Sequence, residues 1–349
     1  MSKIPVGILG ATGTVGQKIV RLLAGHPWFE IAALAASGRS AGAEYEDACH
    51  WLLPEAMPES VRGMTVEPLD RELDCRLIFS ALPADVAGAA EERLAGAGYA
   101  VCTNASAHRL DPDVPLLVPE VNAGHTALIE TQRRRRGGRG FIAANPNCSA
   151  APLGIVLKPL QDAFGLRRVS VVTMQAVSGA GYPGVPGPDI LDNVIPHIKG
   201  EEVKVEREPR KLLGTVREGR IEDAPFIISA QCNRVAVRDG HTECVVAEFE
   251  RKPPVEDIAA VLEAFRPGPE VARLPSSPVQ PVVVRREEDR PQPLRDRSEG
   301  SGMSVVVGQI RPSTIFDVKF VLLSHNTVRG AAGGTVQVGE LLAVHGWLD

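Results

Sequence analysis

Aromatic residues are scarce in this sequence: phenylalanine, tryptophan and tyrosine together make up 4% of the 349 residues. The chain therefore lacks the stacked aromatic side chains with which single-stranded nucleic-acid binders hold bases. It also lacks an excess of positive charge, since 38 Lys and Arg residues stand against 43 Asp and Glu residues and the net charge is −5. Such a chain has no overall attraction to phosphate backbones or anionic membranes, and we expect neither as a partner.

Long apolar runs and paired cysteines are missing as well. No run reaches the roughly 18 residues that a membrane-spanning helix needs, and the N-terminus has no signal-peptide layout. The six cysteines form no C-x-x-C pair, and none lies near a histidine at metal-ligand spacing. We therefore expect a reduced, cytoplasmic protein without a metal site.

The length and the hydrophobic content suit two domains, since 44% of the 349 residues are hydrophobic. Short apolar runs alternate with helical segments over residues 1–147, which predicts an α/β domain with a doubly wound parallel (Rossmann) sheet. Over residues 148–326, β-branched segments predict an α+β domain with a mixed sheet. There, Asp239-Gly240 predicts a hairpin turn between the strands at 235–237 and 243–250. We expect a C-terminal helix over 327–349 to pack back on the first domain.

A glycine-rich loop follows the first predicted strand, Val6–Leu9. It joins this strand to an amphipathic helix, which is the context that a dinucleotide fingerprint requires. Its glycines let a pyrophosphate approach the backbone at the helix N-terminus. The spacing is G-x-x-G-x-x-G rather than G-x-G-x-x-G, so an ordinary tight turn remains an alternative. The candidate cofactor ligands in this loop are Gly10, Thr12, Gly13, Thr14, Val15 and Gly16.

The end of the second predicted strand indicates which dinucleotide would bind. An NAD site usually carries an Asp or Glu there for the ribose 2′-hydroxyl, whereas this chain has Ser37-Gly38-Arg39-Ser40. Two hydroxyls and a guanidinium suit a 2′-phosphate. We therefore predict NADP, bound by Ser37, Arg39 and Ser40, with an ordinary polar turn as the alternative.

One cysteine stands out by its surroundings, Asn145-Pro146-Asn147-Cys148-Ser149-Ala150. The apolar segment 150–157 reads as a buried helix with Pro152 in its first turn. Cys148 would then lie at a helix N-terminus, where the dipole and unpaired N–H groups favour a thiolate and could hold an oxyanion. This pattern predicts a nucleophile, and the alternative is a buried structural cysteine.

A cysteine nucleophile needs a base, and His241 is the best placed of the eight histidines. It lies seven residues after Arg234, and in a straight strand this odd separation would put the two side chains on opposite faces. The intervening turn removes that objection, so both could face one pocket. Arg234 could bind a carboxylate with two parallel hydrogen bonds. The alternative is that His241 is an ordinary surface histidine in a turn.

Three further charged residues could bind a small substrate. Arg109 follows the end of a predicted strand, where it could bind an anion or remain a solvated loop residue. Glu201 and Lys204 are three residues apart and share a helix face. They form either a solvated ion pair or a site for one cation and one anion on the same ligand.

With these residues in place, the sequence resembles the aspartate-β-semialdehyde dehydrogenase family, closest to the branch found in archaea, fungi and some bacteria. The resemblance covers nearly the whole chain, and it depends on the joint order of several motifs. These are Gly10-Ala11-Thr12-Gly13, Asn145-Pro146-Asn147-Cys148-Ser149, Gln175-Ala176-Val177-Ser178-Gly179, Gly200-Glu201-Glu202-Val203-Lys204, Asn233-Arg234-Val235, Asp239-Gly240-His241 and Ser324-His325-Asn326-Thr327.

The resemblance implies an NADP-dependent reduction of L-aspartyl β-phosphate to L-aspartate β-semialdehyde in a homodimer or homotetramer, with the second domain serving catalysis and dimerisation. It implies that Cys148 carries the acyl group, that His241 is the acid/base and that Gln175 orients the acyl group. Arg234 would bind the substrate carboxylate, Glu201 the ammonium, and Lys204 and Arg109 phosphate. The resemblance adds Asn147 to the substrate site, and Ser178, Gly179 and Asn326 to the cofactor site near the nicotinamide.

Three other functions remain open at this point. A paralogue that reduces another acyl phosphate or a CoA thioester such as malonyl-CoA would keep Cys148 and His241 but would not need Glu201 for an ammonium group. N-acetylglutamyl-phosphate reductase has related chemistry, but the order of the motifs fits it less well. A cofactor-binding regulatory protein with an inactive site would not need the set Cys148, Gln175, Arg234 and His241.

Overall fold

The N-terminal part of the chain folds around a parallel sheet, in a computed structural model that describes residues 2–349. Six strands build this sheet: β1 (Ile4–Leu9), β2 (Phe29–Ala36), β3 (Val66–Pro68), β4 (Leu77–Ser80), β5 (Ala100–Thr103) and β6 (Phe141–Ala144). They lie in the order β3-β2-β1-β4-β5-β6, and every neighbouring pair is parallel. The order runs outwards from β1 and β4, as in a doubly wound sheet. The predicted Rossmann sheet is confirmed.

Helices cover both faces of this sheet. They are α1 (Thr14–Leu23), α2 (Tyr45–Ala48), α3 (Glu59–Arg62), α4 (Ala84–Gly96), α5 (Pro119–Asn122) and α6 (Leu128–Arg136), with a 3-10 turn at Ala123–Ala127. Ile8 of β1 shares a core with Ile19 of α1, whereas its neighbour Leu9 shares the other core with Leu94 of α4. Successive residues of each strand are therefore buried on opposite sides, which explains the unbroken apolar runs in the sequence.

The second part of the chain contains a mixed sheet. Its strands are β7 (Leu166–Gln175), β8 (Val194–Ile195), β9 (Thr215–Arg217), β10 (Arg220–Glu222), β11 (Ile227–Val235), β12 (His241–Phe249), β13 (Val282–Val284), β14 (Val305–Pro312) and β15 (Val318–Ser324). Seven of them lie in the order β13-β14-β15-β12-β7-β11-β8, while β9 and β10 pair with each other. The central strand β7 is parallel to β11 and antiparallel to β12. The predicted mixed sheet is confirmed.

The predicted hairpin at Asp239-Gly240 is wrong. Residues 227–235 form one strand, and β11 and β12 do not pair with each other because they lie on opposite sides of β7. The connection between them crosses the carboxyl end of β7, where the Val177 N–H donates to the Val237 carbonyl at 2.8 Å. This crossing brings the ends of three strands together, and the functional side chains lie there.

Three helices, α7 (Ala150–Phe164), α9 (Glu201–Leu212) and α10 (Val255–Ala264), pack on the inner face of the mixed sheet, and the central strands are open on their outer face. The other helices of this part are α8 (Gly187–Ile190), α11 (Pro269–Ala272) and α12 (Pro293–Asp296), with 3-10 turns at Val177–Ala180 and Glu299–Gly302. Neighbouring strands carry Val321, Cys244, Val172 and Gln231 in one row of the outer face, and all four are partly or largely exposed. Between residues 2 and 349, no helix has both the length and the apolar character needed to cross a membrane.

The C-terminal segment returns to the first sheet. A π-helix at Val328–Ala332 continues into α13 (Gly333–Val344). Val336 and Leu342 share a core with Phe79 of β4. A Cβ on Gly339 would lie 2.7 Å from the Phe79 ring, so this helix approaches the sheet very closely. Both the first residues and the last residues of the chain thus build the N-terminal unit.

Candidate active site

Cys148 lies just before α7, whose N-cap is Ser149. The helix N-terminus is already capped, because Asn147 Oδ1 accepts the N–H groups of Ser149 at 2.9 Å and Ala150 at 3.2 Å. The Asn147 carbonyl accepts a third, from Ala151, at 2.9 Å. The expectation that these N–H groups could hold an oxyanion is therefore wrong. An asparagine side chain at this position satisfies them instead.

The Cys148 sulfur lies 3.3 Å from His241 Nε2. His241 is the first residue of β12 and is completely buried, and its Nδ1 accepts the Ala176 N–H at 3.0 Å. Burial raises the pKa of the Cys148 thiol, Glu201 raises it further, and Arg109 and Arg234 oppose them. Burial lowers the pKa of His241, and the Arg234 charge lowers it further.

Burial therefore favours the neutral form of both the Cys148 thiol and the His241 imidazole. This effect of burial opposes the helix end, which is expected to favour a thiolate. A helix dipole contributes about 1 kcal/mol near its terminus, whereas removing an ionised group from water costs several kcal/mol.

Gln175, Arg234 and His241 all lie on the inner face of the mixed sheet. Gln175 ends β7 and pairs in register with Arg234 of β11. Arg234 Nη1 donates to the Ala176 carbonyl at 2.8 Å. A Cβ on Gly179 would lie 2.8 Å from Arg234 Nη1 and 3.1 Å from His241 Cε1. The crossing over β7 thus brings Arg234 and His241 to one pocket, with Gly179 against both.

Glu201 is the centre of a buried polar cluster beside the sulfur. Its Oε1 accepts hydrogen bonds from Asn147 Nδ2 at 2.7 Å and from Gln175 Nε2 at 3.2 Å. Its Oε2 faces Lys204 Nζ at 3.1 Å. Burial would raise the pKa of Glu201, but the Lys204 charge and the hydrogen bonds from Asn147, Lys204 and Gln175 outweigh it and lower that pKa. Glu201 is therefore an ionised carboxylate, and a cation of a ligand could approach it.

Arg109 is buried rather than solvated, and it is paired with a residue that sequence reasoning missed. Its Nη1 lies 3.2 Å from Glu208 Oε1, and its Nη2 donates to the Asn104 carbonyl at 2.7 Å. Glu208 Oε2 also accepts the Asn147 N–H at 2.5 Å. Glu208 lies seven residues after Glu201, two helical turns along the same face of α9, and this period could have indicated it.

A second missed residue is Glu243, two residues after His241 on the same face of β12. It is completely buried, and neither carboxylate oxygen has a hydrogen-bond partner within residues 2–349. Burial raises the pKa of Glu243 well above its ordinary value, and the nearby Ser149 hydroxyl offsets this only in part. Burial therefore favours the protonated form of Glu243, which lies on the same face of β12 as His241.

A cleft of about 620 Å³ lies between the two parts of the chain. Among the predicted cofactor residues, Thr14, Val15 and Ser178 line it. The turn that leads into α1 contains Gly10, Thr12, Gly13 and Gly16. Gly179 and Asn326 adjoin Ser178. Gly10 has a φ of +71°, and a Cβ on Gly16 would lie 2.1 Å from the Gly10 carbonyl oxygen, so this turn requires both glycines.

The remaining predicted cofactor residues do not line the cleft. Ser37 and Arg39 are exposed and Ser40 is partly exposed, beyond the carboxyl end of β2. Asn326 connects two segments: its Oδ1 accepts the Gly240 N–H at 2.9 Å, and its Nδ2 donates to Ser178 Oγ at 2.9 Å. It therefore fixes the cleft wall.

Several basic side chains in the cleft were missed from the sequence. Lys18 of α1 donates to Thr327 Oγ1 at 2.5 Å and joins the two parts of the chain. Arg238, Arg297 and His325 line the same cleft. Since these side chains are distant in sequence, no local pattern groups them.

Comparisons with known proteins agree with this geometry. A family model described as "Semialdehyde dehydrogenase, NAD binding domain" matches residues 5–129, and one described as "Semialdehyde dehydrogenase, dimerisation domain" matches residues 157–329. The chain is 50% identical to the aspartate-semialdehyde dehydrogenase of Archaeoglobus fulgidus, over 97% of each chain. The same enzyme from Methanothermobacter thermautotrophicus is also 50% identical, over 97% of this chain and 99% of that protein.

The fold comparison gives the same result. The crystal structure of the Candida albicans aspartate-semialdehyde dehydrogenase with NADP superimposes with a TM-score of 0.92 and 43% sequence identity, over 99% of this chain and 100% of that chain. The chain belongs to the aspartate-semialdehyde dehydrogenase family. It is an oxidoreductase with a Rossmann nucleotide-binding domain, and the resemblance noted from the motifs is confirmed.

In this family member the loop that carries Cys148 rests directly on the C-terminal segment. A Cβ on Gly330, in the π-helix, would lie 2.6 Å from the Cβ of Cys148 and 2.7 Å from its Cα. A residue with a side chain at position 330 would displace the cysteine. The segment that returns to the first sheet therefore also fixes the position of the sulfur.

Proposed function

We propose that this protein reduces L-aspartyl β-phosphate to L-aspartate β-semialdehyde with NADPH, through a thioester on Cys148. The observation that supports this most strongly is the sulfur 3.3 Å from His241 Nε2, beside the ionised Glu201 and the buried Arg234. This set suits an amino-acid substrate: Cys148 is the nucleophile and His241 the proton-transfer group. The Glu201 carboxylate suits an ammonium group, and the Arg234 guanidinium suits a carboxylate.

The cleft fits a dinucleotide. The glycine turn before α1 has no room for side chains at Gly10 and Gly16, and it leads into the wall of a cleft of about 620 Å³. Thr14, Val15 and Ser178 would hold the cofactor there, and Ser37, Arg39 and Ser40 would hold its 2′-phosphate. When bound, NADPH supplies the hydride that reduces the acyl group.

The chain's own side chains bind and orient the substrate. Arg234 pairs with the α-carboxylate, Glu201 with the α-ammonium, and Arg109 and Lys204 with the phosphoryl group. Gln175 and Asn147 fix the Glu201 carboxylate, and Gln175 orients the acyl group. Because Arg109 is buried against Glu208, it is already oriented before the substrate binds, which lowers the entropic cost of binding.

Covalent chemistry then divides one difficult reduction into two easier steps. The Cys148 sulfur attacks the acyl carbon, the bond from carbon to the phosphate oxygen breaks, and phosphate leaves a thioester behind. After reduction the bond from carbon to sulfur breaks and releases the semialdehyde. His241, at 3.3 Å, is the proton-transfer group for both halves.

The test follows NADPH formation from aspartate semialdehyde and phosphate, with malonyl-CoA reduction as the competing assay. We expect phosphate-dependent turnover of the semialdehyde. Turnover of malonyl-CoA alone would favour the paralogous CoA-thioester reductase. Cys148→Ala should abolish turnover but keep NADP binding, and a variant that retains a tenth of the wild-type rate would remove Cys148 from the mechanism.

We also propose a homodimer or homotetramer that forms through the outer face of the mixed sheet. This face is partly apolar, with Val172 and Val321 in one row beside Cys244, and open sheet faces of this kind are typical of protein contacts. Light scattering on the wild type and on Val172→Lys tests it, since a monomeric wild type would contradict the proposal.

We place the protein in the cytoplasm because all six cysteines are unpaired and the nucleophile has to stay reduced.

A further inference from the structure

Two buried side chains hold the glycine turn before α1 from the inside of the protein. Tyr45 of α2 is completely buried, and its hydroxyl donates to the Ala11 carbonyl at 2.8 Å. Gln17 of α1 is completely buried as well, and its Nε2 donates to the Thr12 carbonyl at 2.9 Å. Two successive carbonyl groups of the turn are therefore directed towards buried side chains.

The orientation of the Ala11 carbonyl fixes the N–H group beside it. In a planar trans peptide the C=O and the N–H point in opposite directions, so a carbonyl held inwards turns the Thr12 N–H outwards. Within residues 2–349, the Thr12 N–H has no hydrogen-bond partner, and neither do the N–H groups of Thr14 and Val15 at the start of α1. Thr14 and Val15 line the cleft. A pyrophosphate at this helix N-terminus would contact these donors.

The turn needs support because its own backbone is permissive. Gly10 and Gly13 flank the peptide that joins Ala11 to Thr12, and glycine loses more conformational freedom on ordering than any other residue. In the part of the chain that the structure describes, this peptide makes no backbone hydrogen bond. The Tyr45 hydroxyl therefore fixes the orientation of its C=O group.

The segment that carries Tyr45 is held in place independently of the hydroxyl. The Tyr45 N–H donates to the Met64 carbonyl at 2.9 Å, and the Gly42 N–H donates to the Val66 carbonyl at 2.8 Å. Loss of the hydroxyl would therefore leave this segment in position, and Arg39 just before it. Only the peptide of the glycine turn would be released.

We propose, on the basis of the NADP binding proposed above, that Tyr45 is a positioning residue of the cofactor site. Its hydroxyl keeps the peptide between Ala11 and Thr12 turned so that the Thr12 N–H faces the place of the pyrophosphate before the cofactor binds. Gln17 supports the same conformation through the Thr12 carbonyl. Because the turn is ordered in advance, binding of the cofactor does not have to order it, which lowers the entropic cost of binding.

Tyr45→Phe removes this hydroxyl and keeps the ring. Calorimetric titration of the full-length enzyme should show that the Kd for NADP rises about three- to tenfold. The Kd for adenosine 2′-monophosphate, which has the 2′-phosphate but no pyrophosphate, should stay within about twofold of the wild type. At saturating NADP the kcat should not change, because the bound cofactor itself then holds the turn.

Tyr99→Phe is the matched control. The Tyr99 hydroxyl donates to the Leu73 carbonyl at 2.9 Å and accepts the Leu73 N–H at 3.0 Å. Tyr99 precedes β5, whereas the glycine turn follows the parallel strand β1, so the two hydroxyls lie at opposite edges of the sheet. The control should lower the melting temperature, as Tyr45→Phe does, and leave both dissociation constants unchanged.

A Tyr45→Phe enzyme that binds NADP as tightly as the wild type would overturn the proposal. Equal weakening of NADP and of adenosine 2′-monophosphate would also overturn it, since the whole site would then be disturbed. If melting curves show that Tyr45→Phe is unfolded, Gln17→Met, which removes the donor to Thr12, takes its place with the same expected difference between the two ligands. A wild type that does not bind NADP would contradict the proposed function itself, so the two failures are distinguishable.

Discussion

Asn147 joins the helix that follows Cys148 to the polar cluster around Glu201. Its Oδ1 caps α7 by accepting two N–H groups, and its Nδ2 donates to Glu201 at 2.7 Å. Asn147→Ala removes both functions. The lost cap costs about 1 kcal/mol, and the lost hydrogen bond to a carboxylate costs about 1.5–3 kcal/mol. We therefore expect the free energy of unfolding to fall by roughly 2.5–4 kcal/mol.

Asn147→Asp separates the two contributions. Aspartate keeps the capping oxygen and gains about 0.3–1 kcal/mol from the helix dipole. Its second oxygen, however, faces the Glu201 carboxylate, where the wild type has a donor. Two adjacent carboxylates repel each other strongly, so the new aspartate and Glu201 share one proton. The pKa of this pair is therefore raised in the folded state. The folded variant then binds more protons than the unfolded chain, and its stability falls as the pH rises above about 4.

Urea unfolding followed by circular dichroism at pH 5 and pH 8 measures these effects. Asn147→Ala should be destabilised by a similar amount at both values. Asn147→Asp should approach the wild type at pH 5 and lose stability at pH 8. An Asn147→Ala variant within about 0.5 kcal/mol of the wild type, the range of an ordinary surface change, or an Asp variant with the same stability at both pH values, would refute the reasoning.

Three other predictions concern single side chains. Gly330→Ala would press its Cβ against Cys148, so turnover should fall about 100-fold. The control, Gly138→Ala, lies in open space and should keep the wild-type rate. Equal rates of the two variants would disprove the close packing. Glu243→Gln removes a buried acid whose raised pKa makes the folded state lose stability as the pH rises above about 4.3. Its melting temperature should therefore exceed that of the wild type more at pH 8 than at pH 5, and a gain that does not depend on pH would contradict a protonated Glu243. Arg39→Ala should raise the KM for NADP about tenfold or more and leave the KM for NAD unchanged, and equal effects on both would remove Arg39 from 2′-phosphate recognition.

The first sheet could be predicted well because its signal is local. Strands that are buried on both faces, such as β4 and β5, appear in the sequence as unbroken apolar runs, and the helices between them show the 3.6-residue period. The residues around Cys148 could also be predicted, since a proline in the first turn marks where α7 begins. The order of the motifs then indicated the family, although no single motif was specific.

The pairing of the strands in the second sheet could not be predicted in the same way. Asp239-Gly240 does form a turn, but a turn signal does not say which strands lie beside each other. Here β7 separates β11 from β12, and pairing with β7 depends on residues about sixty positions earlier. Asp239-Gly240 therefore predicts the turn correctly and the hairpin incorrectly.

The electrostatics of the site depended on burial, which the sequence does not display. The helix end before Ala150 favours a thiolate, but burial has the larger effect and raises the pKa of Cys148. Glu243 is a charged type that usually lies on the surface, so nothing in the sequence marks it as buried, and Glu208 is indicated only by its spacing from Glu201 on α9. The Ala176 N–H is a backbone group, and no side-chain pattern can reveal it.

The contact between Gly330 and Cys148 has a consequence for how the enzyme is made. Residue 330 is synthesised after Cys148 and after all strands of both sheets, and until then the cysteine lacks the surface against which it packs. A nascent or truncated chain would therefore carry a thiol that is not yet aligned with its histidine. The chain can become catalytically competent only after the π-helix that contains Gly330 has been synthesised. Products of translation that lack this segment should be inert toward the substrate.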